Sequence, residues 1–474
     1  MKNLFKILVC TFLSISLGQE IEWIQSYGSN DNEYGESGQK TSDGGYIVVG
    51  QTDSNSQEYN DVLLIKVDFN GNQEWIKTFS FGSDDNGYSV QQTVDGGYIL
   101  TGNVWNQGTF LLKTDSNGNE EWGHMFNEDE YGEIGNSVLQ TLDGGYMMIG
   151  NSGSYSNPYI FLIKTNSDGE EEWVKYFGVD DDEIGIPFFD ISLQQTIDGG
   201  YVVLTTRDTM GGFYPYGKDL YLLKLDSEGN QQWNKIFGSD GQDERGSSIQ
   251  QTNDNGFIIT GMKDNNVLLV KTDESGNEIW SRNYDNLNFV WGKYVQQTED
   301  GGYILTGMGS FPYDLVILKT DSNGYEEWSI TYDYEGTDGV LWGEVIQSSY
   351  NGDYMVIGTE WMLFGDRDVV LVKIDSDGNL DNFSTELNSY SLNQPYPNPF
   401  NPTTSISFSV PNYDFVSIKV YDINGGLVST LVENHFNQGT HSLTWDGTGF
   451  SSGQYLIKME SGSFSKTQIV SLIK

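Results

Sequence analysis

The sequence predicts an all-β protein: a closed ring of seven four-stranded antiparallel sheets, followed by a small β-sandwich. Three observations predict this fold. A turn signal of the type Asp-Gly-Gly-Tyr recurs seven times, an apolar run that ends in lysine recurs with it, and no stretch has sustained helical periodicity. The chain also contains 57 glycines and 9 prolines, which is typical of many tight turns between short strands.

The composition argues against several classes of function. The 474-residue chain has 68 Asp and Glu against 24 Lys and Arg, a formal charge of −44 at pH 7. Such a surface repels phosphate groups, so neither nucleic acid nor an anionic membrane is an expected partner. Disorder is not expected either, because the chain has 12 Trp, 29 Tyr and 24 Phe, and disordered acidic chains contain few aromatic residues.

The first segment, residues 1–18, is predicted to be a secretory signal peptide. Lys2 and Lys6 flank the start of an apolar run, and small residues at Ser16 and Gly18 offer a cleavage site. The single cysteine, Cys10, lies inside this segment, so the mature chain would have no disulfide, thiolate nucleophile or cysteine metal ligand. No other stretch reaches the roughly 18 apolar residues that a transmembrane helix needs. We therefore expect a secreted or surface-attached protein.

The ring is predicted from a unit that occurs seven times at intervals of 46 to 56 residues. Three features mark each unit. The turn signal begins at Asp43, Asp95, Asp143, Asp198, Asp254, Asp300 and Asn351. The signals at Asp254 and Asn351 are variants of the common sequence. The lysines are Lys66, Lys113, Lys164, Lys224, Lys271, Lys319 and Lys373. The tryptophans are Trp23, Trp75, Trp122, Trp173, Trp233, Trp280 and Trp328.

Four strands are predicted within one unit, at residues 89–93, 98–102, 109–113 and 121–126. The third strand is nearly all apolar, which suits a strand buried on both faces between neighbouring sheets. The first strand, with its Gln-Gln-Thr sequence, is expected to be innermost and to line a channel. Because the lysines and tryptophans occur once per unit, we expect structural roles for both: the lysines pair with acids such as Glu74, Glu121 and Glu172, and the tryptophans pack between sheets.

The two ends of the repeat region predict that the ring closes. The first unit begins with a fourth strand at residues 21–24 that has no third strand before it, and the seventh unit ends with a third strand at 371–373 that no tryptophan strand follows. In a seven-bladed β-propeller over residues 19–380, the N-terminal strand would complete the last blade and cover both edges. An open solenoid would leave these edges exposed.

The repeat resembles that of secreted bacterial β-propellers, whose units read Gln-Gln-Thr-x-Asp-Gly-Gly-Tyr, then apolar-Lys-Thr-Asp, then Gly-x-x-x-Trp. The resemblance covers about residues 20 to 380. The stretch with Asp115, Gly118 and Trp122 is also similar to the tryptophan-docking repeat of quinoprotein propellers. Such resemblances imply an architecture rather than an activity.

A second domain is predicted at residues 395–474, after a linker at 381–394. It opens with four prolines in eight residues, Pro395, Pro397, Pro399 and Pro402, and alternating strands follow at 404–410, 416–421, 427–431, 441–445, 454–459 and 467–472. This pattern predicts a small Ig-like β-sandwich.

The second domain resembles the type A C-terminal sorting domain of the type IX secretion pathway. The matching motifs lie at 396–402 (Tyr-Pro-Asn-Pro-Phe-Asn-Pro), 420–425, 439–441, 445–447 and 452–455. The resemblance implies a didermic bacterium, export through the outer membrane, and the type IX secretion machinery as a partner. The alternative is an Ig-like sandwich that does not act as a sorting signal.

Function is expected on the face of the ring that carries the loops between second and third strands and the connections between blades, because these are the long and variable ones. The connections are acidic, at Asp31 and Glu33, Asp84 and Asp85, 128–130, 180–183, 240–244 and 333–338. The loops carry aromatic residues, from which we predict a ligand-binding set of Trp105, Tyr159, Phe213, Tyr214, Tyr216, Tyr313 and Trp361. Rings stack on the apolar faces of sugars and carboxylates accept hydrogen bonds from hydroxyls. Solvated acidic loops and packed rings explain the same pattern without a ligand.

We therefore predict an exported, non-catalytic propeller that binds polysaccharide or another surface polymer, with no catalytic residue assigned. The alternative is a secreted glycoside hydrolase that uses paired carboxylates, with Asp180, Asp182, Glu183 and Asp190 as the first candidates. Quinone-dependent oxidation is less favoured, since His124 is the lone histidine of the repeats.

No cofactor is predicted with certainty, and calcium is the one that the carboxylates suggest. The repeated turn that starts at Asp115 has acids and amides at alternate positions, but its glycine is misplaced for a calcium loop. A hairpin turn also explains this sequence.

Overall fold

The structure is a computed structural model of the chain. It describes residues 23–28, 32–53, 59–82, 84–127, 133–154, 157–178, 191–208, 217–238, 242–285, 289–309, 315–332, 339–348, 352–362, 367–375, 391–392, 395, 398, 400–410, 414–423, 425–436, 439–462 and 464–474. The predicted signal peptide lies outside the described residues. The chain divides into two compact units, one built from the repeats and one from the strands after residue 380.

The repeat unit consists of seven four-stranded antiparallel sheets, as predicted. Blade 1 contains β2 (Glu33–Lys40), β3 (Tyr46–Thr52), β4 (Asp61–Val67) and β5 (Gln73–Phe79); blade 2 contains β6 (Asp85–Gln92), β7 (Tyr98–Val104), β8 (Gly108–Thr114) and β9 (Glu120–Phe126); blade 3 contains β10 (Ile134–Gln140), β11 (Tyr146–Ser154), β12 (Asn157–Thr165) and β13 (Glu171–Phe177). Blade 4 contains β14 (Ser192–Gln195), β15 (Tyr201–Asp208), β16 (Lys218–Leu225) and β17 (Gln231–Phe237); blade 5 contains β18 (Glu244–Gln251), β19 (Phe257–Lys263), β20 (Asn266–Thr272) and β21 (Glu278–Tyr284); blade 6 contains β22 (Phe289–Gln297), β23 (Tyr303–Gly309), β24 (Leu315–Thr320) and β25 (Glu326–Tyr332).

Blade 7 closes the ring with strands from both ends of the repeat region. Its sheet contains β26 (Gly339–Ser348), β27 (Tyr354–Met362), β28 (Arg367–Ile374) and, as the outer strand, β1 (Trp23–Tyr27). Strand β1 pairs antiparallel with β28, so that Trp23 lies opposite Lys373. On the other side, the Gly35 amide of blade 1 donates a hydrogen bond to Thr359 Oγ1 of blade 7 at 3.0 Å. The predicted closure by the N-terminal strand is confirmed.

The hydrophobic cores lie between the blades rather than inside single sheets. One core joins Ile47 and Leu64 of blade 1 to Leu100 and Phe110 of blade 2, all of them fully buried. The third strands are buried on both faces, and every residue of β8 is buried. The apolar character of these strands therefore follows from their position between two neighbours.

The repeated lysines hold the blade hairpins together, as the sequence predicted. Lys113 is 2% exposed, and its Nζ lies 3.0 Å from Asp95 Oδ2 and 2.9 Å from Glu121 Oε2. Burial alone would raise the pKa of Asp95, but hydrogen bonds from Thr93, Gly97 and Lys113 hold it below its usual value. The Asp-Gly-Gly turn thus supplies a carboxylate that compensates the buried ammonium group.

The repeated tryptophans pack against the next blade. A Cβ atom added at Gly118, which has φ of 73°, would lie 2.7 Å from the ring of Trp75 in the preceding blade. Next to this contact, Lys77 Nζ donates to Asn119 Oδ1 at 3.1 Å. The same ring-on-glycine contact pairs Trp122 with Gly169, Trp173 with Gly229, Trp233 with Gly276, and Trp280 with Gly324. We call these five contacts the blade latches.

The second unit has two sheets that pack around one core. A three-stranded sheet contains β29 (Ser391–Leu392), β30 (Thr403–Val410) and β33 (Gly439–Asp446); a four-stranded sheet contains β31 (Asp414–Asp422), β32 (Leu427–Phe436), β34 (Gly453–Ser461) and β35 (Phe464–Leu472). The core includes Trp445, with the rings of Phe400 and Tyr455 each 5.1 Å away. Asn398 fixes the proline-rich motif to the last strand, because it donates to the Ile469 carbonyl and accepts from the Ser471 amide.

Candidate functional site

The inner strands begin at the variable face of the ring, and six of the seven carry a β-bulge near that end of their described residues. In six blades the pairing register between the first and second strands shifts by one residue directly after a glycine. The described part of the fourth inner strand begins beyond this position. A bulge re-aims the side chain of the extra residue. The extra residues, which we call the bulge ring, are Glu36, Tyr88, Asn136, Ser247, Lys293 and Glu344.

The bulge ring breaks the symmetry of the repeat. The same backbone position holds an acid, a phenol, an amide, a hydroxyl, an ammonium group and a second acid in the six blades. A structural role would be needed in every blade, as it is for the lysines and tryptophans, whereas a single ligand site requires different residues at equivalent positions. The bulge ring is therefore a better candidate for function than any repeated residue.

Charged groups of the bulge ring interact both within their own blade and across blade boundaries. Lys293 Nζ lies 3.9 Å from Glu344 Oε2, and Gln51 Nε2 donates to Glu36 Oε1 at 3.1 Å. Burial, and then repulsion from Glu344, raise the pKa of Glu36 to about 7. Glu36 therefore exchanges its proton near neutral pH. Burial, together with the charge of Glu36, also raises the pKa of Tyr88 to about 12.

A layer of aromatic and cationic side chains lies next to the bulge ring. The residue directly before the inner-strand glycine is Arg245 in blade 5, Trp291 in blade 6, Trp342 in blade 7 and Tyr34 in blade 1. Blade 7 adds Trp361 and Arg367 from β27 and β28. All six are partly exposed. We call Tyr34, Arg245, Trp291, Trp342, Trp361 and Arg367 the mouth cluster, because they lie near the strand ends that come from the variable face.

The rings and cations of the mouth cluster contact one another. The Arg245 guanidinium lies 5.9 Å from the Trp291 ring, and Lys293 Nζ of the bulge ring lies 4.5 Å from the same ring. Trp291 Nε1 donates to Ser247 Oγ at 2.7 Å, which fixes the indole.

In blade 7, the Trp342 and Trp361 rings are 6.5 Å apart. The Arg367 guanidinium lies 4.9 Å from the Trp361 ring and 4.8 Å from the Tyr34 ring. The equivalent positions in blades 2 and 3 hold Asn86 and Ile134. The mouth cluster thus occupies four adjacent blades on one side of the ring.

The structure brings one predicted ligand-binding residue, Trp361, into the mouth cluster. Trp105 is 59% exposed in the β7–β8 turn, and Tyr159 packs edge-on against Tyr176 at 5.5 Å in blade 3, so neither lies in the cluster. The other predicted residues, Phe213, Tyr214, Tyr216 and Tyr313, lie outside the described residues, as do the hydrolase candidates Asp180, Asp182, Glu183 and Asp190.

Sequence reasoning missed five of the six residues of the mouth cluster. An alignment of the repeats on the inner-strand glycine would have revealed Trp291, Trp342 and Arg245, because these large side chains stand where other blades have asparagine or isoleucine. Arg367 lies one strand away and had no comparable signal.

The interpretation of the blade-connection acids as a solvated surface is wrong for several of them. Glu33, Asp85 and Glu244 are between 0% and 3% exposed at the start of their inner strands. Asp85 Oδ2 accepts hydrogen bonds from the amides of Phe81 and Gly82, and Glu244 pairs with Lys263 at 2.9 Å. These buried acids bind backbone amides and a lysine at the point where the chain enters the blade.

The described residues contain no group of three or more His, Cys, Asp or Glu side chains arranged to hold a metal ion. In the repeated turn, Asp115 Oδ1 accepts from the amides of Asn117 and Asn119, and its Oδ2 accepts from Asn119 Nδ2. This is the geometry of a hairpin turn, which explains the sequence of the turn.

The seven four-stranded sheets and the closing strand β1 define the class of the repeat unit as a seven-bladed β-propeller. The second unit is identified by a family model described as the secretion system C-terminal sorting domain, which matches residues 394–473. The chain is therefore a β-propeller protein that carries a type IX sorting domain, and it is secreted or lies at the outer surface of a didermic bacterium. In the part of the chain that is described, no helix has the length and apolarity needed to cross a bilayer.

Comparison with solved structures gives distant likenesses. A mutant puromycin hydrolase in complex with PGG is 12% identical, with a TM-score of 0.47; the match covers 79% of this chain and 58% of the hydrolase. A protein of unknown function from Dyadobacter fermentans is 10% identical, with a TM-score of 0.44 and coverage of 76% and 99%. The Pan2 WD40 domain of Neurospora crassa is 11% identical, with a TM-score of 0.46 and coverage of 76% and 97%. No curated protein matches the sequence. The blade count rests on the seven sheets themselves.

Proposed function

We propose that the exported propeller is a non-catalytic binding protein whose mouth cluster binds a polysaccharide. The observation that carries the proposal is the grouping of Tyr34, Trp291, Trp342 and Trp361 with cations and acids in four adjacent blades, near the strand ends at the variable face. Exposed rings can stack on the apolar faces of sugar residues, while guanidinium, ammonium and carboxylate groups can hydrogen-bond to hydroxyls.

The position of these rings supports binding by a preformed site. Tyr34, Trp291 and Trp342 belong to inner strands that are paired on one edge and packed between blades, and Trp291 is further fixed by Ser247. Side chains that strands and hydrogen bonds hold in place lose little entropy when a ligand binds. Trp105 is an exposed aromatic residue of the β7–β8 turn in blade 2, outside the four blades that hold the mouth cluster.

Affinity electrophoresis on a panel of soluble polysaccharides tests the proposal. We expect a retained polymer, and we expect the double variant Trp291→Ala and Trp361→Ala to lose at least about tenfold in affinity, because each stacked ring contributes roughly 1 kcal/mol or more. Trp105→Ala is the matched control and should bind like the unmodified protein. Equal retention of the double variant and the control would contradict the proposed site.

One observation favours a second candidate, the glycoside hydrolase. Glu36 and Glu344 stand at equivalent bulge positions of adjacent blades, they repel each other, and the pKa of Glu36 is about 7. A protonated carboxylic acid beside an ionised carboxylate is the pair that glycoside hydrolysis requires. If the protein is a hydrolase, the retained polymer should release reducing ends, and Glu36→Gln should abolish that release while binding persists. Retention without release supports the binding protein.

A further inference from the structure

We propose that the mouth cluster selects a polysaccharide that carries an anionic group, and that Arg367 binds this group. The inference rests on the proposed function and names the class of ligand for the same site. It depends on the surroundings of Arg367, on the charge balance of its neighbours and on the contrast with another arginine of the chain.

Arg367 is held in place by rings rather than by an acid. Its guanidinium lies 4.8 Å from the centre of the Tyr34 ring and 4.9 Å from the centre of the Trp361 ring, and Nη1 donates to the Tyr34 hydroxyl. Among the described residues, no carboxylate lies within ion-pair distance of it. The bond to Tyr34 uses one of the five guanidinium N–H groups, and two parallel N–H groups are what binds a carboxylate or sulfate most strongly.

The neighbouring charges of the cluster are already balanced. Arg245 Nη2 pairs with Asp243 Oδ2 at 3.0 Å, and Lys293 lies near Glu344. Arg367 therefore supplies the charge in this cluster that no described acid compensates. The net charge of −44 does not prevent anion binding, because charges more than about 8 Å away are largely screened at physiological salt.

Arg282 provides the contrast. It lies 5.5 Å from the Trp280 ring and 4.6 Å from the Tyr325 ring, and it also makes no ion pair among the described residues. Its Nε, however, is buried without a partner, and the same side chain completes a blade latch at the outer rim. No nitrogen of Arg367 is buried in this way. The two arginines have similar aromatic contacts, but only Arg367 of the two belongs to the mouth cluster, and it has no side-chain nitrogen that is buried without a partner.

The test uses polymers that share a backbone and differ in charge. Polygalacturonate is compared with its fully methyl-esterified form, and a sulfated galactan with its desulfated form, by affinity electrophoresis of the exported full chain. We expect the unmodified protein to bind one anionic polymer at least about tenfold more tightly than its neutral partner. The polymer pair that shows the preference distinguishes carboxylate from sulfate.

Variants assign the preference to Arg367. Arg367→Gln should bind the anionic and the neutral polymer equally, with its affinity for the neutral polymer within about threefold of the original. Arg367→Lys should keep part of the preference, because it retains the charge but not the planar fork. Arg282→Gln, which removes the latch arginine, should keep the full preference.

The outcomes separate the two proposals. Equal affinity of the unmodified protein for charged and neutral polymers overturns this inference and leaves the proposed function intact. A preference that persists in folded Arg367→Gln, checked by an unchanged melting temperature, also overturns the assignment to Arg367. If the unmodified protein retains no polymer of the panel, the proposed function fails together with the inference.

Discussion

Two lysines inside the same ring illustrate how differently its regions are built. Lys113 stands at a position that every blade repeats, and it is 2% exposed between Asp95 and Glu121 of its own hairpin. Lys293 stands at a bulge, where the residue varies between blades, and it contacts the Trp291 ring of its own strand and Glu344 across a blade boundary. The repeated contacts stabilise each blade locally, whereas the bulge ring connects blades through side chains that are partly exposed. A charged residue of a repeat protein therefore indicates function mainly where the equivalent positions of the other repeats hold different residues.

Substitution of a blade-latch glycine should give the largest effect on stability. Gly118→Ala places a methyl group 2.7 Å from the Trp75 ring and adds backbone strain at φ of 73°, so we expect a loss of about 3 kcal/mol in the free energy of unfolding. Gly96→Ala is the matched control: its φ is 87°, but no atom lies within 4 Å of the added methyl, and we expect about 1 kcal/mol. Urea unfolding of both variants measures the difference. Equal losses would show that the ring contact is not a stabilising latch.

Substitution by methionine should mainly lower stability at Lys113 and mainly weaken polysaccharide binding at Lys293. Lys113→Met leaves Asp95 and Glu121 without their partner, and we expect it to lower the free energy of unfolding by about 2 kcal/mol without changing polysaccharide affinity. Lys293→Met should lower stability by no more than about 0.5 kcal/mol, because its pair with Glu344 is long and partly exposed, and it should weaken binding several-fold. Unfolding curves and affinity electrophoresis on both variants provide the measurements. A binding defect in Lys113→Met with normal folding would erase the distinction between the two regions.

Replacing a turn aspartate should have a smaller effect on the free energy of unfolding, and this effect should depend on pH. Hydrogen bonds from Thr93, Gly97 and Lys113 outweigh burial and lower the pKa of Asp95 in the folded state. A carboxyl whose pKa is lowered on folding stabilises the protein above its unfolded pKa, and this contribution disappears as the pH falls through the folded pKa. We expect Asp95→Asn to cost about 1 kcal/mol at pH 7, and the difference from the unmodified protein to shrink as the pH falls below the ordinary aspartate pKa of about 3.9. Urea unfolding of both proteins between pH 2.5 and 7 provides the measurement. A difference in unfolding free energy that does not change with pH would mean that the ionised carboxylate of Asp95 contributes nothing to stability.

Most of the fold, but little of the site, could be predicted from the sequence. The turn at Asp95, the lysine at 113 and the tryptophan at 122 recur because every blade needs them, and an unpaired strand at each end predicted closure. Trp361 was predicted because the sequence assigns it to a variable connection, although it lies near the end of β27. Trp291 and Trp342 were not, because they lie inside strands, and no periodic pattern shows that a bulge re-aims the neighbouring side chain. The burial of Glu33 and Glu244 could not be predicted either, since acids in connections are usually solvated.

Glu36 gives the smallest effect and the sharpest contrast with the turn aspartates, because its pKa is shifted in the opposite direction. Burial and the charge of Glu344 raise the pKa of Glu36 from 4.5 to about 7. Between these two values the unfolded chain has lost the proton and the folded chain still holds it, so the contribution of Glu36 to stability falls as the pH rises through this window. We expect Glu36→Gln to match the unmodified protein near pH 4 and to exceed it by about 1 kcal/mol at pH 8. The difference between the two unfolding free energies, measured at several pH values, removes the effect of the overall acidity, which both proteins share. A difference that stays constant from pH 4 to 8 would mean that Glu36 titrates normally, and the carboxyl pair at the channel would then lose its support as a hydrolytic site.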